Sequence, residues 1–182
     1  MKSDIKLVVI TGTPGVGKST LAKQLSKKLG FYRLDLSKYY KQISAGYNRR
    51  KKCYDIDLPK FEKLVGGKIK ELIEGQKKEK RQKSQKGLII DSHIAHLLPR
   101  KWVDLCVVLT CSDLKKLEKR LEKRGYSRRK IQENLEAEIF QVCLVEAREK
   151  GYQVMVSDAP DRFELRKLKK LLTIQPENNC SG

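Results

Sequence analysis

Leu7-Val8-Val9-Ile10-Thr11-Gly12-Thr13-Pro14-Gly15-Val16-Gly17-Lys18-Ser19-Thr20 is the stretch that decides the fold. Its first four residues form an apolar run with no polar face, the pattern of a strand covered on both sides. Gly12 through Ser19 then match GxxxxGK[ST], and Leu21, Leu25 and Leu29 continue at helical spacing until Gly30. A strand, a glycine-rich turn and a helix in that order form a phosphate cradle. Gly12, Gly15 and Gly17 let the backbone curl so that its N–H groups face an anion, and the helix N-terminus adds partial positive charge at the same place. On this reading Lys18 reaches the β and γ phosphates of ATP, Ser19 ligates Mg2+ and Thr20 contacts the α phosphate.

Outward from this unit, apolar runs alternate with helical patterns. Phe31 to Leu34, Leu88 to Ile90, Leu105 to Leu109 and Tyr152 to Val156 read as further strands. Phe61, Leu64, Val65, Ile69, Leu72 and Ile73 make one helical stripe. Leu114, Leu117 and Leu121 make another, with Ser112 as its N-cap. Ile131, Leu135, Ile139 and Val142 predict one long helix from Ser127 to near Gly151, and Leu165, Leu168 and Leu172 predict a last one. The alternation implies an α/β domain over residues 1–173, a doubly wound parallel five-stranded sheet flanked by helices. Residues 35–57 and the basic linker 76–87 carry no clean period, and 174–182 reads as a disordered tail.

The 182 residues carry 41 Lys+Arg against 22 Asp+Glu, a net charge of +19. A heat-adapted surface would raise acidic residues alongside the basic ones, which this chain does not do. The excess favours polyanionic partners, RNA or a ribonucleoprotein. Five cysteines without CxxC spacing argue against zinc or disulfide frameworks and fit a reducing, cytoplasmic setting. The aliphatic runs are too short for a bilayer, and no secretory segment precedes the loop, so no membrane association is expected.

A phosphate loop needs a carboxylate at the end of a neighbouring strand to hold hydrated magnesium. Asp91, closing Leu88-Ile89-Ile90-Asp91, is that acid; Asp113 suits a helix first turn better. His93 and His96 lie within five residues of Asp91. Asp-x-His-x-x-His is also compatible with a transition-metal site, but the magnesium reading already accounts for the carboxylate. His93 is assigned a place over the reaction centre and His96 a structural role. Among the basic residues of 117–126, Arg124 beside Gly125 is the first candidate to close over the phosphates. Arg120 is the second, with a solvated helix face as its alternative.

With these sites placed, the chain resembles the coilin-interacting nuclear ATPase family of adenylate-type kinases. Thr11 through Thr20, Ile90-Asp91-Ser92-His93, Pro99-Arg100-Lys101-Trp102, Arg120 through Tyr126 and Glu138-Ile139-Phe140-Gln141-Val142 carry the resemblance, in family order over roughly residues 6–148. The resemblance implies a P-loop, adenylate-kinase-like fold with a monophosphate-binding flap near 35–58 and a short lid near 123–133. It implies broad nucleoside-monophosphate kinase activity with AMP as an acceptor, together with ATPase activity. It also implies a role in small ribosomal subunit maturation, with the eleventh small-subunit ribosomal protein and rRNA or a pre-ribosome as partners. Arg124 then matches a nucleotide-contacting lid arginine, and Asp91 and His93 the family's Asp-x-His pair. Arg49-Arg50-Lys51-Lys52 departs from an acidic family stretch, so the acceptor pocket does not carry over residue by residue. Asp57 keeps its place without an assigned role, and Ser157-Asp158-Ala159-Pro160 corresponds loosely to an adenine-contacting loop. The rival reading is an assembly factor for which ATP is a switch and kinase turnover incidental. A kinase for a non-nucleotide small molecule is the third.

Overall fold

Strand and helix follow one another as β1 (Lys6–Thr11), α1 (Lys18–Leu29), β2 (Tyr32–Asp35), β3 (Ser44–Asn48), β4 (Cys53–Ile56), α2 (Leu58–Lys78) and β5 (Gly87–Asp91). The second half runs β6 (Leu105–Thr110), α3 (Leu114–Glu122), α4 (Arg128–Ile139), α5 (Val142–Glu149), β7 (Val154–Asp158) and α6 (Leu165–Thr173). The computed structural model describes residues 5–49, 53–78, 87–158 and 164–173. The basic linker beyond residue 78 and the tail therefore lie outside the described residues.

Five parallel strands form one sheet in the order β2-β5-β1-β6-β7. Because the central runs are apolar at every position, alternate residues serve opposite cores. Leu7, Val9, Leu88 and Ile90 face Phe61 and Val65 of α2 and Leu144 and Ala147 of α5. Val8, Ile10, Ile89 and Val107 face Leu21 and Leu25 of α1, Leu117 and Leu121 of α3, and Leu168 of α6. Phe61 is fully buried, and its truncation to alanine carries a cost of about 3–5 kcal/mol. After β1 the chain enters α1 on one face, and after β5 it packs Ile94, Ala95 and Leu98 on the other. The crevice between these two strand ends is where doubly wound sheets bind ligands.

The structure adds to the sequence pattern or departs from it in five places. Ser44–Asn48 and Cys53–Ile56 pair antiparallel as β3 and β4, with Tyr47 and Tyr54 edge-to-face at 5.0 Å. Asp57 caps α2, its Oδ1 accepting from the Lys60 amide at 3.0 Å. Asp113, not Ser112, caps α3, accepting from the Lys116 amide at 2.9 Å. Ser112 instead donates its amide and hydroxyl to Asp158, at 2.8 and 2.7 Å. The long helix expected from Ser127 to Gly151 divides at Phe140-Gln141, where Gln141 takes a φ of 50° and starts α5. Finally, β7 begins at Val154, because Tyr152 turns into the core and donates its hydroxyl to the Leu98 carbonyl.

Candidate active site

The glycine-rich turn adopts the backbone that its sequence requires. Gly12, Gly15 and Gly17 have φ of 135°, 95° and 111°, in the region that side-chain-bearing residues avoid. Thr20 and Leu21 both donate to the Gly17 carbonyl. The amides of Lys18 and Ser19, ahead of them in the first turn, are left without helical partners and available to an anion. Val16 is buried in the same core as Leu117 and Leu121, so α3 braces the loop from its side of the sheet.

Lys18 folds back over this loop, donating to the carbonyls of Gly12 at 2.7 Å and Thr13 at 2.9 Å. Desolvation lowers its pKa to about 8, against the favourable charges of Cys143 and Asp91. Arg124 adds to that lowering, so its charge bears on the phosphate site although its side chain is exposed on the turn after α3. Gly125 beside it has φ 71°, and a Cβ there would meet nothing within 4 Å, the backbone freedom and open space a closing segment needs. Arg120 is nearer the loop, its Nη1 donating to the Gly15 carbonyl at 3.2 Å.

Asp91 ends β5 in register with Ile10 on one side and Asp35 on the other. It is only 4% exposed. Arg33 Nη2 donates to Asp91 Oδ2 at 2.6 Å and to Asp35 Oδ2 at 3.0 Å, one cation bridging the carboxylates of two adjacent strands. Asp35 also accepts from the Ser37 amide and hydroxyl, which fixes the turn after β2. Ser19 is exposed on the first turn of α1. Together with Asp91 it offers hard oxygen donors of the kind magnesium selects.

The two histidines part company. His93 is exposed, its Nδ1 3.1 Å from the Tyr40 hydroxyl, which also contacts Ser92 Oγ at 2.9 Å. Although part of its surface meets solvent, desolvation by the surrounding protein and then the charge of Lys18 lower its pKa to about 4, so it is neutral at pH 7. His96 is buried, with Nε2 2.6 Å from Glu146 and Nδ1 2.7 Å from the Thr11 hydroxyl. Burial holds its pKa below the ordinary value. The carboxylate favours the tautomer with Nε2 as donor, which leaves Nδ1 facing a Thr11 hydroxyl that also lies 3.1 Å from the His93 carbonyl. This pins the end of β1 to α5, the structural role expected of it. The described residues contain no group of three or more His, Cys, Asp or Glu placed to hold a metal, so the Asp-x-His-x-x-His alternative is not assembled.

Lys18 lies near enough to Asp91, His93 and Arg124 for their charges to interact, and Ser19 follows it on the first turn of α1. Sequence reading missed Arg33, Asp35 and Tyr40. The only signal for them was position: Arg33 and Asp35 close a short strand, and Tyr40 lies in the Tyr-rich segment after it. Asp158 holds Ser112, while Ala159 and Pro160 lie outside the described residues. No described helix is long and apolar enough to cross a membrane.

Residues 8–141 match the family model described as an AAA domain. The adenylate kinase isoenzyme 6 homolog of Schizosaccharomyces pombe is 39% identical over 155 residues, covering 84% of this chain and 80% of that protein. The Caenorhabditis elegans homolog of the same name is 35% identical over 144 residues, covering 78% of this chain and 72% of that protein. Among solved structures, a shikimate kinase from Acinetobacter baumannii in complex with shikimate superposes with a TM-score of 0.51 at 15% identity. That match covers 92% of this chain and 93% of the other, and it speaks for the fold. Sequence kinship and fold agree: the chain belongs to the adenylate kinase isoenzyme 6 family of P-loop phosphotransferases.

Proposed function

We propose that this protein transfers the γ-phosphoryl group of ATP to a nucleoside monophosphate, AMP foremost, and hydrolyses ATP when no acceptor is present. The observation that carries the reading is the meeting of the Lys18 loop and Asp91 at the crevice between β1 and β5. The segment near 35–58 is the expected monophosphate flap in this reading, and the segment near 123–133 the expected lid. ATP lies with its phosphates on Gly12, Gly15, Gly17, Lys18, Ser19 and Thr20. Ser19 and Asp91 would hold magnesium, which would neutralise charge on the phosphates. Lys18 leaves the Gly12 and Thr13 carbonyls for the β and γ phosphates, and Arg124 closes from the lid over the charge that develops. The 35–58 segment receives the monophosphate. A phosphate acceptor is already anionic and needs no protein base. For water, the neutral His93, held by Tyr40, orients the nucleophile.

Lys18→Ala tests the assignment. It should abolish both AMP-dependent ADP formation and ATP hydrolysis, and retention of either activity at more than a few per cent would sink the Lys18 role.

The net charge of +19 supports a second level of the same reading, action in small ribosomal subunit maturation with the eleventh small-subunit ribosomal protein and rRNA as partners. If ATP serves there as a switch, adding the ribosomal protein should change ATPase rate or nucleotide affinity. A metabolic kinase would not respond. The cytoplasm is the compartment this reading expects.

A further inference from the structure

Asp91 is buried at the end of β5, where an unpaired carboxylate would be unstable. The counter-charge comes from Arg33, whose Nη2 is 2.6 Å from Asp91 Oδ2 and 3.0 Å from Asp35 Oδ2. The same guanidinium leaves its buried Nε without a hydrogen-bond partner. An arginine settled for packing alone would satisfy that donor, since buried orphan N–H groups are rare and costly. Arg33 is instead held by charge and incompletely satisfied. It grips the one carboxylate that the proposed function assigns to magnesium. Two cations on the same buried carboxylate repel each other strongly. Asp35 gives Arg33 somewhere to go, because it is paired in register with Asp91 on the adjacent strand.

We propose that Arg33 is an electrostatic latch on Asp91: a positioning residue that holds the carboxylate in the nucleotide-free protein and hands it over, retreating to Asp35, when a divalent cation arrives with ATP. The proposal rests on Asp91 being the magnesium carboxylate. It makes the site slow to collect free cations, because a bare ion must displace an internal charge, whereas ATP brings compensating negative charge with it.

Calorimetric titration of the full chain with ATP, with and without Mg2+, reads the latch as the factor by which magnesium tightens ATP binding. Removing the competitor with Arg33→Met should raise that factor about tenfold, the scale of a charge-assisted hydrogen bond. Asp35→Asn keeps the turn capped but removes the alternative anchor. It commits Arg33 to Asp91 and should lower the factor, by about threefold. Opposite shifts from neighbouring residues are not what a purely structural pair would give. An unchanged factor in both variants overturns the latch, and if Arg33→Met does not fold, Asp35→Asn decides alone. Asp91→Asn separates the two levels. If it leaves the magnesium effect intact, Asp91 is not the magnesium carboxylate and the reading beneath fails. If it removes the effect while Arg33→Met and Asp35→Asn change nothing, only the latch is wrong.

Discussion

Gly12→Ala should be among the most damaging one-carbon additions this chain can receive, and the structure says by how much. A Cβ at Gly12 would lie 2.1 Å from the Leu109 carbonyl oxygen, 3.1 Å from its carbon and 3.2 Å from Val16 Cγ2. The obstacle is backbone of β6, which cannot rotate away. Added to this is a φ of 135°, outside the comfortable range of any L side chain. Strain of about 1–3 kcal/mol and overpacking of about 1–3 kcal/mol give a loss near 4 kcal/mol, a large share of ordinary domain stability. The cheaper escape is for the loop to retreat from Leu109, which carries its anion-binding amides out of place. ATP affinity then falls at least about tenfold, equivalent to 1.4 kcal/mol. Gly30→Ala is the internal control. Gly30 has φ 68° and nothing within 4 Å, so alanine meets only the left-handed penalty of about 1 kcal/mol. Urea unfolding of both variants, paired with ATP titration, checks the difference. If Gly12→Ala loses no more stability than Gly30→Ala and keeps ATP affinity, the geometric account of the loop is wrong.

Lys18, with its pKa lowered to about 8 by burial, should make ATP affinity weaken as pH rises through about 8. Binding near that pH should take up a proton, readable by calorimetry in two buffers of unlike ionisation enthalpy. The same group has the opposite sign in the stability of the free protein. Between about 8 and the ordinary 10.5 the unfolded chain holds the proton and the folded one does not, so its contribution to stability rises with pH. Tyr152→Phe removes the donor to the buried Leu98 carbonyl and should cost about 1–3 kcal/mol in denaturant melts, without altering nucleotide binding. Gln141→Gly relieves a left-handed residue between α4 and α5 and should stabilise by up to about 1 kcal/mol; a loss would show that the Gln141 side chain matters to that corner.

The parts of the molecule legible in sequence are those governed by local pattern. Leu7 to Ile10 and Leu88 to Ile90 are apolar without a break because helices cover both faces, and the glycines of the loop answer to backbone angles each must adopt. The rest depends on partners distant in sequence. Arg33 meets Asp91 across 58 positions, and nothing in either neighbourhood announces the other. Strands β3 and β4 form a two-stranded ribbon with no buried residue in Ser44–Asn48 or Cys53–Ile56, so they carry no alternating apolar signature. The apolar period does run from Ile131 to Val142, yet Ile139 and Val142 are exposed and the helix divides between them. Periodicity alone does not locate such a break, because the cost of one left-handed residue is small against the packing of Leu144 and Ala147 on the sheet. At Ser112 and Asp113 both side chains suited a cap, and the contact with Asp158 determined which one served.

Phosphoryl transfer to a nucleoside monophosphate is tested by product formation from ATP and magnesium on the purified chain, with and without AMP. A nucleoside-monophosphate kinase forms ADP from AMP at a rate well above that of phosphate release without it. Slow phosphate release that AMP does not alter would contradict it and would favour an ATP-driven assembly switch.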